Sequence, residues 1–128
     1  MKVIQLTDEF TANEGMPILE VNSEEGTATI KGRCLPESAS EMQKQLDTHL
    51  DPCLVKGKLH FTFSLEFFNT SSSKVIELFL NKMEEFHSTG GDMKVKWCFA
   101  EEDEDMEEAG EEFATLVAFP FELVAYSE

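Results

Sequence analysis

A single α/β domain with a mixed sheet is the fold class this sequence predicts, on three observations. Stretches whose apolar residues recur every second position alternate with stretches of helical period along most of the chain. The longest period-two stretch carries polar residues at its alternate positions, unlike a strand covered on both faces. The chain of 128 residues is 41% hydrophobic, with eleven Phe, which is enough to bury one core and too apolar for a disordered segment. No internal repeat and no long linker divides residues 1–128.

Taken in order, residues 1–15 show no clear period and are expected at the periphery, where a short edge strand can join the sheet. Ile18-Leu19-Glu20-Val21-Asn22 reads as a strand, Asn22-Ser23-Glu24-Glu25-Gly26 as a turn signal, and Thr27 to Gly32 as the returning strand. Pro36 then breaks the chain, and Ser38 with Glu41 has the spacing of a capping box. Ala39, Met42, Leu46 and Leu50 share one helical face, predicting a helix of about 12 to 14 residues ended by Pro52. From about Lys56 to Phe68 a long strand follows, its apolar positions being Leu59, Phe61, Phe63, Leu65 and Phe67.

Asn69-Thr70-Ser71-Ser72-Ser73 opens the next helix, whose stripe of Val75, Ile76, Phe79, Leu80, Met83 and Phe86 runs to about His87, before Gly90-Gly91. Met93, Val95, Trp97 and Phe99 alternate with polar residues or Cys98 and predict a further strand. Nine of the twelve residues from Glu101 to Glu112 are acidic, and a helix is expected to grow from that run toward Phe113, Leu116 and Val117. Phe121, Leu123 and Ala125 close the chain as a last strand. The expected order is ββαβαβαβ, with about four to five strands and the helices mainly on one face.

The formal net charge is −16, from 26 acids against 10 bases. Such a field repels phosphate backbones and anionic lipid, so nucleic acid is not an expected partner. No apolar run approaches the roughly 20 residues that cross a bilayer, and Met1 to Glu9 lacks a signal-peptide core. A cytoplasmic protein without membrane insertion is expected. Cys34, Cys53 and Cys98 show no CxxC pair or zinc spacing, and read as reduced thiols filling core space.

Four hydroxyls in a row stand where the long strand gives way to a helix. One helix cap needs one hydroxyl, so capping explains part of the run. A helix N-terminus also favours negative charge, and α/β sheets place sites at the C-terminal ends of their strands. The junction is therefore a candidate regulatory phosphosite.

The other candidates are weaker. Asp103 and Asp105 have the opening spacing of a calcium loop, but Glu108 stands where that loop needs Gly. The acidic run reads better as a solvated helix start, which could also face a basic partner. His49, His60 and His87 fall on separate elements with no metal-binding spacing. There is no GxSxG elbow and no GxxxxGK[ST] loop. A small hydrolase would need a deep pocket gathering His60 with several acids. A constitutive acidic interaction module remains open beside the phosphosite.

Phe67-Phe68-Asn69-Thr70-Ser71-Ser72-Ser73-Lys74, with the upstream Gly32-Arg33-Cys34-Leu35-Pro36-Glu37 and the closing Phe119-Pro120-Phe121-Glu122, resembles the SiaC family of bacterial regulatory phosphoproteins. The resemblance spans residues 15–127. It implies a STAS-like regulatory domain, similar to anti-sigma factor antagonists, that is not an enzyme and carries no cofactor or metal. It implies a partner-switching function. A cognate serine/threonine kinase phosphorylates the motif threonine and a PP2C-type phosphatase reverses this. The unphosphorylated form binds and activates a diguanylate cyclase, raising cyclic di-GMP and favouring biofilm or aggregation. The implied acceptor is Thr70, flanked by Asn69, Ser71, Ser72 and Ser73, with Pro36 and Glu37 as further partner-facing positions. Ser71 and Ser72 stay open as acceptors in its place. Leu35 and Ser38 depart from the family pattern, which usually has an aromatic residue before the Pro-Glu pair and often Asn after it.

Overall fold

The computed structural model describes residues 1–9 and 11–127. Its strands are β1 (Lys2–Gln5), β2 (Ile18–Asn22), β3 (Thr27–Cys34), β4 (Lys58–Phe68), β5 (Asp92–Ala100) and β6 (Phe121–Tyr126). The helices are α1 (Ala39–Lys56), α2 (Thr70–Ser88) and α3 (Glu104–Ala114). All six strands join one sheet in the order of the chain. β1, β2 and β3 pair antiparallel, while β3, β4, β5 and β6 run parallel. Each helix fills one of the crossovers between parallel strands, as that pairing requires.

One face of the sheet is covered. Leu19, Val21, Ile30, Phe61, Phe63 and Trp97 are buried there, each at a period of two from its neighbours on the same strand. Their partners come from the helices: Met42, Leu46 and Leu50 of α1, Val75, Phe79 and Met83 of α2, and Phe113 of α3. Each such side chain contributes about 1.5–3 kcal/mol by leaving water. A run of rings carries this core across the layers, Phe79 to Phe63 at 5.8 Å, Phe63 to Trp97 at 5.1 Å and Trp97 to Phe113 at 5.4 Å. The opposite face shows Thr29, Lys31, Thr62 and Lys96 to solvent, with Lys31 paired to Glu20 at 3.1 Å.

Four expectations are corrected. The sheet has six strands, where four to five were expected, and three of them precede the first helix. The added strand is β1, an edge whose Lys2, Val3 and Gln5 are exposed and so show no amphipathic period. Within residues 1–9, Leu6 is fully buried and Asp8 nearly so, deeper than the periphery expected for that segment. Helix α1 runs 18 residues, through Pro52, to Gly57 at φ 90°. Burial of Cys53 beyond the proline carries the helix past the one backbone bond that Pro52 forgoes.

The fourth correction lies at the end of β4. Gly32 stands opposite Leu65 but Arg33 opposite Phe67, so Glu66 is an extra residue, a β-bulge. The bulge shifts the alternation by one. Phe68 turns inward to the rings of Trp97 and Phe113, and Phe67 is left 57% exposed. The apolar alternation of β4 therefore ends at Leu65, one position short of the expected Phe67.

Candidate functional site

The C-terminal ends of β3 and β4 deliver the candidate residues to one edge of the sheet. Asn69 caps α2. Its Oδ1 accepts the Ser72 amide at 2.9 Å, and Ser72 Oγ accepts the Asn69 amide at 2.8 Å, a reciprocal capping box. Asn69 Nδ2 donates to the Pro36 carbonyl at 3.0 Å, tying this helix start to the loop after β3. On its other side that loop is held by Asp8, whose Oδ2 accepts the amides of Glu37 at 2.6 Å and Ser38 at 2.7 Å. Ser38 in turn caps α1, accepting the Glu41 amide at 3.3 Å. The Glu41 carboxylate does not close the expected box but accepts the Glu9 amide at 3.0 Å.

The four hydroxyls thus divide. Ser72 is fully buried inside the capping box. Ser71 and Ser73 are half-buried. Thr70, the first residue of α2, is exposed, and its hydroxyl makes no side-chain hydrogen bond among the described residues. Pro36 is buried and acts through its carbonyl, whereas Glu37 is exposed. Cys34, at the end of β3, lies beneath: burial pushes its thiol up to about 12, against the pull of a hydrogen bond with Ser72. All three cysteines are free, and Cys34 and Cys53 are buried.

Two shallow grooves flank this edge. One is lined by Phe67, Phe68 and Met106 together with Glu66, Asp103 and Asp105. The other runs between Ser73 and Glu77 of α2 and Ala109 and Phe113 of α3, with Leu116 just after that helix and Phe68 completing its lining. The guanidinium of Arg33 lies 5.1 Å from the centre of the exposed Phe67 ring. Arg33, Phe67 and Asp8 were not among the sequence candidates. Asp8 carried no local signal. Arg33 did carry one, as the only arginine in an acidic chain.

The acidic run forms the start of α3. Asp103 caps it by accepting the Met106 amide at 3.1 Å, and Glu104, Asp105 and Glu107 fill its first turn. Trp97 Nε1 donates to the Met106 carbonyl at 2.9 Å and fastens this end of the helix to β5. Among the described residues no three His, Cys, Asp or Glu side chains converge as metal ligands would.

His60 sits elsewhere. Its Nε2 is 3.0 Å from Asp92 Oδ1, at the other end of β4, on the open face. That hydrogen bond, more than the neighbouring lysines, holds the Asp92 carboxyl below its ordinary range. A strand rises about 3.3 Å per residue, so the eight residues from His60 to Phe68 put roughly 25 Å between His60 and the end of β4 that leads to Thr70. The depression around His60 is lined by Thr27, Thr62, Lys94 and Lys96, not by the several acids a hydrolase would gather. Among the described residues, no helix is long and apolar enough to cross a membrane.

Comparison with known proteins gives one consistent family. The profile described as SiaC family regulatory phosphoprotein matches residues 10–126. An uncharacterized protein of Pseudomonas aeruginosa strain UCBPP-PA14 is 27% identical over 117 residues, covering 90% of this chain and 93% of its own. The crystal structure of diguanylate cyclase SiaD in complex with its activator SiaC, from Pseudomonas aeruginosa, matches with a TM-score of 0.81 and 27% identity, over 88% of this chain and 94% of that one. SiaC of Pseudomonas aeruginosa solved separately matches with a TM-score of 0.80 at 24% identity, over 98% of this chain and 100% of that one, a likeness of fold.

Proposed function

We propose that this chain, which belongs to the SiaC family of regulatory phosphoproteins, is a non-catalytic switch whose state is set by a phosphate on Thr70. A cognate serine/threonine kinase transfers the γ-phosphoryl group of ATP to Thr70 Oγ1, with loss of the hydroxyl proton and departure of ADP. A PP2C-type phosphatase hydrolyses the ester and restores the hydroxyl. The unphosphorylated form binds and activates a diguanylate cyclase, the kind of partner that SiaC has in its complex with SiaD. The output is cyclic di-GMP, made in the cytoplasm, and control of biofilm or aggregation. The alternation of strands and helices on one covered face agrees with a STAS-like regulatory domain.

One observation carries this reading. Thr70 is exposed at the first position of α2, while the capping of that helix is done by Asn69 and the buried Ser72. A phosphate at Thr70 therefore adds about −1.5 to −2 charges without breaking a bond the fold uses. The positive end of the helix favours that charge, by about 0.3–1 kcal/mol at an exposed terminus. The same burial argues against Ser72 as acceptor, since a kinase would have to open the capping box to reach it. Glu37 and the acids of the neighbouring groove share this edge, so a new dianion changes the field any partner meets.

The test is incubation with the cognate kinase and ATP, followed by mapping of the phosphate by mass spectrometry. Phosphate on Thr70 is expected, and phosphate found only outside residues 70–73 rejects the assignment. The Thr70→Ala protein should keep its fold and bind the cyclase whether or not kinase is present. Equal affinity of stoichiometrically phosphorylated wild type and Thr70→Ala for the partner would end the switch mechanism.

A further inference from the structure

We propose that Arg33 is the residue that reads the phosphate on Thr70, its guanidinium leaving the Phe67 ring to pair with the phosphate oxygens. The proposal rests on Thr70 being the acceptor. Arg33 is the one arginine of the chain, and it is exposed. With 26 acids available it makes no ion pair among the described residues. What holds it is the face of Phe67, at 5.1 Å, a weak contact at so open a position. A planar guanidinium forms paired, charge-assisted hydrogen bonds with a phosphate, which a ring face cannot match.

Register brings the two residues to the same edge. Arg33 is the Cα partner of Phe67, three residues before Thr70. Three residues after Arg33, the Pro36 carbonyl is bonded to Asn69, the residue before Thr70. The segments leading from Arg33 and to Thr70 are thus pinned to each other at both ends. The bulge at Glu66 is what turns Phe67 outward beside Arg33. The competing cation is Lys74, exposed and one helical turn beyond Thr70. A lysine there offers a single point charge and is itself already on α2, so its movement would not alter the Phe67 surface.

The consequence is a change in what the edge presents. Without phosphate, a partner meets an aromatic ring overlaid by a cation. With phosphate, it meets a bare ring beside a charge-paired phosphate. A partner carboxylate that uses Arg33 loses its counter-charge in the same step.

Because there is one arginine, its side-chain Nε–Hε group gives a single, unambiguous NMR resonance in protein labelled with 15N-arginine. Phosphothreonine introduced at position 70 during translation removes any dependence on the kinase. The Nε–Hε peak is expected to move downfield and to exchange with water more slowly in the phosphothreonine protein. In Arg33→Gln, the second pKa of the phosphate, read by 31P titration, is expected to rise by about half a unit or more relative to the Arg33 protein. A peak that stays in place with phosphothreonine present overturns the inference. So does a phosphate pKa that responds to Lys74→Gln but not to Arg33→Gln. Failure of the premise is read separately, as phosphate mapped outside residues 70–73 when the kinase acts on wild type.

Discussion

Thr70 and Ser72 stand two residues apart and differ completely in what they hold. Ser72 Oγ accepts the Asn69 amide at 2.8 Å inside a fully buried site, so removing it strands a donor away from water. Ser72→Ala should therefore cost about 1–3 kcal/mol of stability. Thr70→Ala removes an exposed hydroxyl that makes no side-chain hydrogen bond among the described residues, and should change stability by no more than about 0.5 kcal/mol. Urea titration of both variants at constant pH measures the difference, with the slope unchanged if only the native contact is lost. A Thr70→Ala loss as large as that of Ser72→Ala would mean that Thr70 is part of the cap and poorly suited to reversible modification. This separation is invisible in the run Asn69-Thr70-Ser71-Ser72-Ser73 itself, where any of the hydroxyls could cap. It becomes visible only when the helix start is fixed and the third position is seen to close the box.

Helix α3 shows how closely an element can be set by one small residue. Gly110 faces the indole of Trp97, and a Cβ added there would lie 2.4 Å from Trp97 Cδ1. The Trp97 ring cannot retreat without giving up its bond to the Met106 carbonyl at 2.9 Å. Gly110→Ala should thus destabilise by about 1–3 kcal/mol, although Ala is the better helix former. Thermal unfolding would read this as a drop of roughly 3–5 °C per kcal/mol for a domain of this size. A rise in melting temperature would show that α3 can shift off β5 at no cost. Elements held by their own periodicity, such as α2 with its stripe from Val75 to Met83, were legible in the sequence because the signal is local. The parts that were not legible depend on neighbours. β1, expected only as a short edge somewhere in residues 1–15, is placed by the edge that β2 offers, α1 passes Pro52 because Cys53 is buried beyond it, and Phe67 turns out because of a bulge against β3. The site divides the same way: Asn69 and the hydroxyls declare themselves by composition, while the pairing of Arg33 with Phe67 requires cross-strand register.

Over the whole molecule the charge is unevenly spread. The open sheet face mixes Lys31, Lys94 and Lys96 with Glu20 and Glu122, whereas α3 and the turn before it hold nine acids between Glu101 and Glu112. The acids of the first turn, Glu104, Asp105 and Glu107, sit at the favourable end of the helix dipole. Glu111 and Glu112 sit at the other end, where there is no basic residue in the last turn. Glu111 also lies four residues from Glu107, a like-charge neighbour on the same helical face. Glu111→Lys should reverse both penalties, by pairing with Glu107 and by placing a cation at the C-terminal end. The expected gain is about 0.5–1 kcal/mol at low ionic strength. Because Glu111 is exposed, the gain should fade as salt shortens the screening length from about 30 Å at 0.01 M to about 3 Å at 1 M. Melting curves of wild type and Glu111→Lys across that range check both parts. If the difference in melting temperature kept its low-salt value in 1 M salt, the effect would come from packing or helix propensity, and self-repulsion along α3 would not be what the substitution relieves.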